Sequence, residues 1–372
     1  MRERANGTNS TKTFQPLGIT TKFFKYSLPL NMDSYRYCSF QCEYCFMKNR
    51  VVGKRNEHLK PNIDWLKHKF EKVYDDKDIN KENFLEMLLK NRITINCGTK
   101  SEPFQPCEKK EQQTKKIIEL CNQYDQSIIF GTKSDRTYDV PIDADNHSFQ
   151  LSITNHFNDS YLEPNVPSFE KRVAFYKELK DNGFKVGIRF EPFIPNITDI
   201  KKCLSYFEDA DHIHISRLRL LPQINNETML NYCKLKKNDF KNTGLETLKG
   251  EVWYAYVKDI IQYLKDNDYS YSTSFIHIGN TDCLGSDTLA KNHTQFDTFH
   301  LKERYGDNWT LNEGLTEIGE YKSCICNYLY TSNRQDGLKT VEEFYVNKWK
   351  NYNCKFHPSN QFKPVNKTLF DF

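Results

Sequence analysis

Between Phe23 and Leu221 the chain alternates short apolar runs with longer stretches in which apolar residues recur every three or four positions. The short runs predict strands over Phe23–Leu30, Ile93–Cys97, Ser127–Phe130, Phe149–Thr154, Lys185–Phe190 and His212–Ile215. The helical periods predict helices over Glu108–Tyr124, Phe169–Asn182 and Asp199–Glu208, with Ser168 suited to cap the second and Gly183 to stop it. Strands and helices in strict alternation imply parallel pairing with right-handed crossovers. About six such units make an α/β fold, a partial (β/α)6 barrel whose site lies in the loops after the strand C-termini.

Composition narrows the setting. Aromatic residues make up 14% of the 372, including 26 Phe and 22 Tyr, which is enough for a packed core despite a polar average. No apolar run nears the ~18 residues of a membrane span, and the start lacks the apolar stretch of a secretory signal, so a cytoplasmic setting without a membrane partner is expected. In that setting the 12 cysteines read as reduced thiols and metal ligands. The net charge of +4 permits a nucleic-acid partner without requiring one.

The most informative residues follow the first expected strand. Cys38, Cys42 and Cys45 stand in the run Cys-Ser-Phe-Gln-Cys-Glu-Tyr-Cys, spaced C-x3-C-x2-C. Three thiolates so close can hold three corners of a cubane iron-sulfur cluster, leaving one iron open to an outside ligand. The alternative is a tetrahedral zinc site completed by Cys97 or His58.

This spacing, with Tyr44 before the last cysteine, resembles the signature of the radical S-adenosylmethionine (SAM) superfamily. The resemblance implies a TIM-like partial barrel carrying a [4Fe-4S] cluster whose open iron chelates SAM. It also implies reductive cleavage of SAM to a 5'-deoxyadenosyl radical, fed by an external electron donor such as flavodoxin or ferredoxin. Further landmarks resemble the spore photoproduct lyase-like branch, also called DNA repair photolyase-related. They are Ile95-Asn-Cys-Gly98-Thr99-Lys-Ser101-Glu102-Pro103-Phe-Gln-Pro106, Thr114-Lys-Lys-Ile-Ile-Glu, Thr132-Lys133-Ser134 with Arg136, Ser152-Ile-Thr154 and Glu191-Pro-Phe-Ile-Pro195.

On that resemblance Tyr44, Gly98, Thr99, Ser101 and Glu102 belong near SAM, with Glu102 a candidate acceptor for its ammonium. Lys133 and Ser134, with Arg136, suit the SAM carboxylate or a substrate phosphate. Ser152 and Thr154 alternate on one strand, so their hydroxyls share a face and suit the ribose. Arg189 and Glu191 also share a face, turned either to the site or to water. Cys97 lies near the position of a hydrogen-donor cysteine in spore photoproduct lyases but is out of register by two residues, so it is a candidate donor or a buried apolar thiol. His212 and His214, one strand face, suggest metal, packing or substrate contact.

The expected domains are a mobile tail over residues 1–22, a radical SAM core over 23–222, an α+β cap over 223–356 and a flexible tail over 357–372. In the cap, Leu245–Lys265 predicts a helix and Tyr269–Ile278 a strand. Cys283, Cys324, Cys326 and Cys354 fall there, either as free thiols or as ligands of a second cluster. The end, Asn366-Lys-Thr-Leu369-Phe370, resembles peptides that hook DNA-processing proteins onto the bacterial sliding clamp, the alternative being docking on the cap itself. The expected function is therefore a radical SAM enzyme acting on a damaged or modified nucleic-acid base, in the manner of a lyase. Two alternatives stand: modification of a small molecule or peptide, and a non-enzymatic zinc-stabilised nucleic-acid-binding module.

Overall fold

A computed structural model of the chain describes residues 13–19, 28–45, 47, 59–75, 84–220, 226–242, 246–274, 279–281 and 285–293. His58, Cys283, Cys324, Cys326, Cys354, Leu369, Phe370 and most of the expected first strand lie outside the described residues.

The core is one eight-stranded sheet: β1 (Leu17–Ile19), β2 (Leu30–Met32), β3 (Ile95–Cys97), β4 (Ile128–Thr132), β5 (His147–Ser152), β6 (Lys185–Phe193), β7 (His212–Arg217) and β8 (Tyr271–Thr273). Neighbours in the sheet are neighbours in sequence, and every pairing is parallel except β1 with β2. The expected α/β architecture is therefore present as an open sheet, with no pairing of β1 to β8 among the described residues. The parallel series runs past residue 222: the helix Gly250–Asp266 leads into β8, which pairs with β7.

The two faces of the sheet differ in chemistry. In one register row Cys97, Phe130, Phe149 and Val186 lie side by side. The Phe149 ring meets Phe175 of the helix Phe169–Asp181 edge-on at 6.0 Å, so this face is the one the helices cover. A second row, Ser152, Arg189, His214 and Ser272, lies an odd number of residues away along each strand and so points to the opposite face. The polar face is where chemistry can be done.

Ser168 caps the Phe169–Asp181 helix by accepting from the Lys171 amide, and Gly183, at φ +79°, turns the chain out of it, both as expected. The expected Glu108–Tyr124 helix is instead two, Glu108–Glu111 and Gln113–Gln123, broken at Gln112 with φ 52°. The Glu108 carboxylate folds back to accept from the amides of Thr114 (3.0 Å) and Lys115 (2.9 Å), capping the second helix. The expected Leu245–Lys265 helix begins as a strand, Glu246–Leu248, because its backbone pairs with Arg219–Leu220 and Phe240–Asn242. The expected Asp199–Glu208 helix is the shorter Ile200–Leu204, capped by Asp199.

Candidate active site

The cysteine loop leaves the C-terminal end of β2 and is fastened on two sides. Asp33, next after β2, accepts from the Thr99 hydroxyl (3.0 Å) and the Lys100 amide (2.7 Å), tying the loop to the turn after β3. Burial raises the Asp33 pKa, and these hydrogen bonds oppose the rise. Gln105 accepts from the Ser39 amide and donates to the Tyr37 carbonyl, each at 2.9 Å. From the other side the Glu43 amide donates to the Leu162 carbonyl (2.9 Å) and the Asn165 amide group to the Ser39 carbonyl (3.2 Å). Within the loop Gln41, at φ 52°, donates to the Cys38 carbonyl, and the Cys45 amide donates to the Cys42 carbonyl at 3.0 Å.

Cys42 is buried, while Cys38 and Cys45 are half-buried. The Met47 amide lies 3.4 Å from Cys45 Sγ and donates to it, the kind of contact that stabilises a metal-bound thiolate. Burial pushes the Cys38 thiol up to about 12, with Glu102 and Cys45 adding to the rise. It pushes Cys42 up to about 12 as well; Lys133 opposes, and Glu163 and the other two thiols add. Cys38 and Cys42 thus feel the neighbouring sulfurs, and without a bound cation both stay protonated. Among the described residues no three His, Cys, Asp or Glu side chains are grouped so that they could hold one metal ion. The zinc alternative loses Cys97 as its fourth ligand, because Cys97 lies in the row of the helix-covered face. A cubane makes a different demand, giving each thiolate its own iron, and a donor set of three thiols on one fastened loop fits that chemistry.

Next to the loop, Glu102 is buried and held by three hydrogen bonds. It accepts from the Thr132 hydroxyl (2.5 Å), the Lys133 amide (2.8 Å) and the Phe104 amide (3.1 Å). Burial raises its pKa to about 7 against those hydrogen bonds. Ser134 is also engaged, donating to the Phe104 carbonyl at 3.0 Å. The chain's own donors thus occupy three of the acceptor positions of the Glu102 carboxylate. Ser101 differs: its Oγ is buried without a partner.

Sequence reasoning missed Glu163, on whose carboxylate four side chains converge. Its Oε1 accepts from Lys133 Nζ (2.8 Å), the Thr154 hydroxyl (2.7 Å) and the Tyr44 hydroxyl, and its Oε2 accepts from Arg172 (3.1 Å). A second Arg172 nitrogen donates to the Ser152 carbonyl at 3.0 Å, anchoring the guanidinium to β5. Burial alone would raise the Glu163 pKa, but Lys133 and Arg172 bring it far below the usual carboxylate range. The available signal was Arg172, a charged residue on the apolar stripe of a helix between Phe169 and Phe175. Thr154 lies two residues beyond the end of β5 and joins this group through its hydroxyl. Asn155 follows it, 1% exposed, with neither amide atom partnered.

On the polar face Arg189 and Glu191 form an ion pair, as their shared strand face suggested, and His214 Nε2 approaches the Glu191 carboxylate to 3.8 Å. Burial would raise Glu191, yet Arg189, His214 and Arg219 lower it to about 2. His212 bridges Ser270 (2.9 Å) and Ser272 (2.8 Å), and His214 Nδ1 meets Ser272 at 2.8 Å. These ring nitrogens tie β7 to β8, which corrects the metal-site alternative for the pair. Cys97 is wholly buried among apolar side chains, opposite this face. A hydrogen donor must reach the substrate side, so that role for Cys97 is not carried forward.

No family model matches the chain. An uncharacterized protein of Methanocaldococcus jannaschii is 26% identical over 177 residues, spanning 46% of this chain and 62% of that relative. Among solved structures, a spore photoproduct lyase mutant with dinucleoside spore photoproduct aligns with a TM-score of 0.53 at 15% identity, covering 71% of this chain and 80% of that one. The chain has the spore photoproduct lyase fold. A second mutant of that lyase, with bound AdoMet and dinucleoside spore photoproduct, aligns at 0.50 with 15% identity, over 69% of this chain and 79% of that one. The resemblance read in the motifs is thus matched by the architecture, although the fold alone carries no reaction.

Proposed function

We propose that this chain is a radical SAM enzyme in which Cys38, Cys42 and Cys45 hold a [4Fe-4S] cluster and SAM takes the position the three thiolates leave open. When bound, the cluster supplies the single electron that cleaves SAM reductively, and the electron comes from an external donor such as flavodoxin or ferredoxin. One observation carries the reading: the same end of the sheet holds a fastened three-thiol loop and buried polar atoms with no partner among the described residues, Ser101 Oγ and both amide atoms of Asn155. Buried polar groups are left unpaired at a cost of about 1–3 kcal/mol each, so they point to a polar ligand that pairs them. Around that ligand the chain excludes water with buried Phe40 and Tyr44. The polar face then offers Arg189, Glu191 and His214 to a substrate.

The substrate favoured by the fold likeness and the net charge of +4 is a damaged or modified nucleic-acid base, with a lyase outcome. A base inside a duplex would have to leave the stack to reach the polar face. Anaerobic reconstitution with iron and sulfide, followed by reduction in the presence of SAM, is expected to yield 5'-deoxyadenosine, and Cys42→Ala to yield none. Wild-type protein that binds zinc tightly and forms no such product would sink the proposal. DNA binding that weakens with salt supports the base substrate, and its absence at low salt redirects the same chemistry to a small molecule or peptide.

A further inference from the structure

Glu163, Lys133 and Arg172 make a buried cluster of one anion and two cations, and nothing in the thiol loop's own donor set accounts for it. Two positive side chains share one carboxylate at 2.8 and 3.1 Å, so the three side chains carry a net single positive charge, with Arg172 and Glu163 buried and Lys133 half-buried. Lys133 and Glu163 of this cluster stand beside the thiol loop. The Tyr44 hydroxyl, one residue before Cys45, donates to Glu163, and the Lys133 ammonium lies 5.3 Å from the centroid of the Tyr44 ring. Lys133 and Glu163 both act electrostatically on Cys42, with opposite signs.

Gaining an electron adds one negative charge to an iron-sulfur centre, so a fixed positive neighbour in a low-dielectric surround favours the reduced form, and a fixed negative one disfavours it. We propose that the Lys133–Glu163–Arg172 cluster, acting beside the buried Glu102 carboxyl, helps set how readily the group held by Cys38, Cys42 and Cys45 accepts its electron, with Glu163 as the positioning residue that limits the cluster's own charge to one net positive. The balance is simple: one electron arrives from an external one-electron reductant, no bond in the protein forms or breaks, and the three side chains keep their charges. This inference rests on the radical SAM reading.

The test compares wild type, Glu163→Gln and Arg172→Gln, each reconstituted anaerobically, assayed for iron and sulfide, and titrated with dithionite without SAM while the reduced centre is followed by electron paramagnetic resonance. Glu163→Gln raises the net charge from one to two, and its midpoint potential is expected to rise. Arg172→Gln lowers the net charge to zero, and its midpoint is expected to fall. Lys133→Gln, at a less tightly packed position, is expected to move in the same direction as Arg172→Gln, and it serves if the Arg172 variant does not fold. Opposite shifts at full iron content support the inference, because a merely structural disturbance moves the variants the same way. Equal shifts, or none, overturn it while leaving the radical SAM reading intact. Wild-type protein that takes up no iron and sulfide removes both.

Discussion

Gly98 and Gly131 meet so closely that a Cβ built on Gly98 would lie 2.3 Å from the Gly131 carbonyl oxygen. Gly98 also has φ +88°, a region that side-chain-bearing residues adopt only with strain. This contact sets the turn after β3 against the end of β4, and that turn carries Thr99 and Lys100 to Asp33 beside the cysteine loop. Gly98→Ala is therefore expected to destabilise the fold by roughly 3 kcal/mol or more, from strain and overlap with backbone together. Urea denaturation checks it, and an unchanged midpoint would contradict the contact.

Asn155 leads to a sharper test, because its two aspects pull apart. Replacing an unpartnered buried amide with an apolar group of similar size removes a penalty, so Asn155→Leu is expected to stabilise the ligand-free protein by about 1–3 kcal/mol. The same change is expected to weaken SAM binding to the reconstituted protein by at least about tenfold, since the ligand loses its partner. Equilibrium dialysis with labelled SAM and urea unfolding of the apoprotein read the two effects separately. A variant that loses stability and keeps its affinity for SAM would show that the amide has another role.

Cys97 yields a prediction opposite in kind. Its thiol belongs to the apolar, helix-covered face, and burial holds its pKa well above the ordinary thiol value. Cys97→Ser is expected to cost roughly 1–3 kcal/mol by burying a hydroxyl in that face. It is expected to leave 5'-deoxyadenosine formation unchanged. A folded variant that had lost this activity would place Cys97 in the chemistry after all.

His147 governs part of the acid stability. Its Nδ1 accepts from the Ile128 amide at 3.2 Å, Nε2 faces the Asn122 side-chain oxygen at 2.8 Å, and burial, aided by Lys291 against Asp143 and Asp125, lowers its pKa to about 4. The unfolded chain takes up a proton near the usual value of about 6.5, while the folded chain resists until about 4. The stabilising contribution is thus complete above about pH 6.5 and is lost as pH falls toward 4, at up to about 1.4 kcal/mol per pH unit. His147→Gln is expected to flatten this slope in urea titrations between pH 7 and 4.5. An equally steep variant would assign the acid sensitivity to other groups.

The cysteine loop was legible because its spacing is a local property: three thiols within eight residues cannot be far apart in any fold. The βα order was legible for a similar reason, since each strand and helix announces its own period. Where the reading went astray, a distant or folded-back partner intervened. Glu108 capped a helix six residues on and split one expected helix into two, and strand partners at Arg219–Leu220 and Phe240–Asn242 drew the start of another into a sheet.

From the sequence alone came the three-thiol donor set, the parallel α/β architecture and the shared face of Arg189 and Glu191, because each follows from covalent spacing or from a strand's two-residue repeat. Only the tertiary structure decided that Cys97 faces the helices while Arg189 faces the site, that His212 and His214 both bond Ser272 of β8, and that Glu163 gathers Lys133, Thr154, Arg172 and Tyr44. Those partners lie 9 to 119 residues from Glu163 in the chain. No local pattern records such a distance; parallel crossovers bring the strand ends together, and burial then requires each charge to find its opposite.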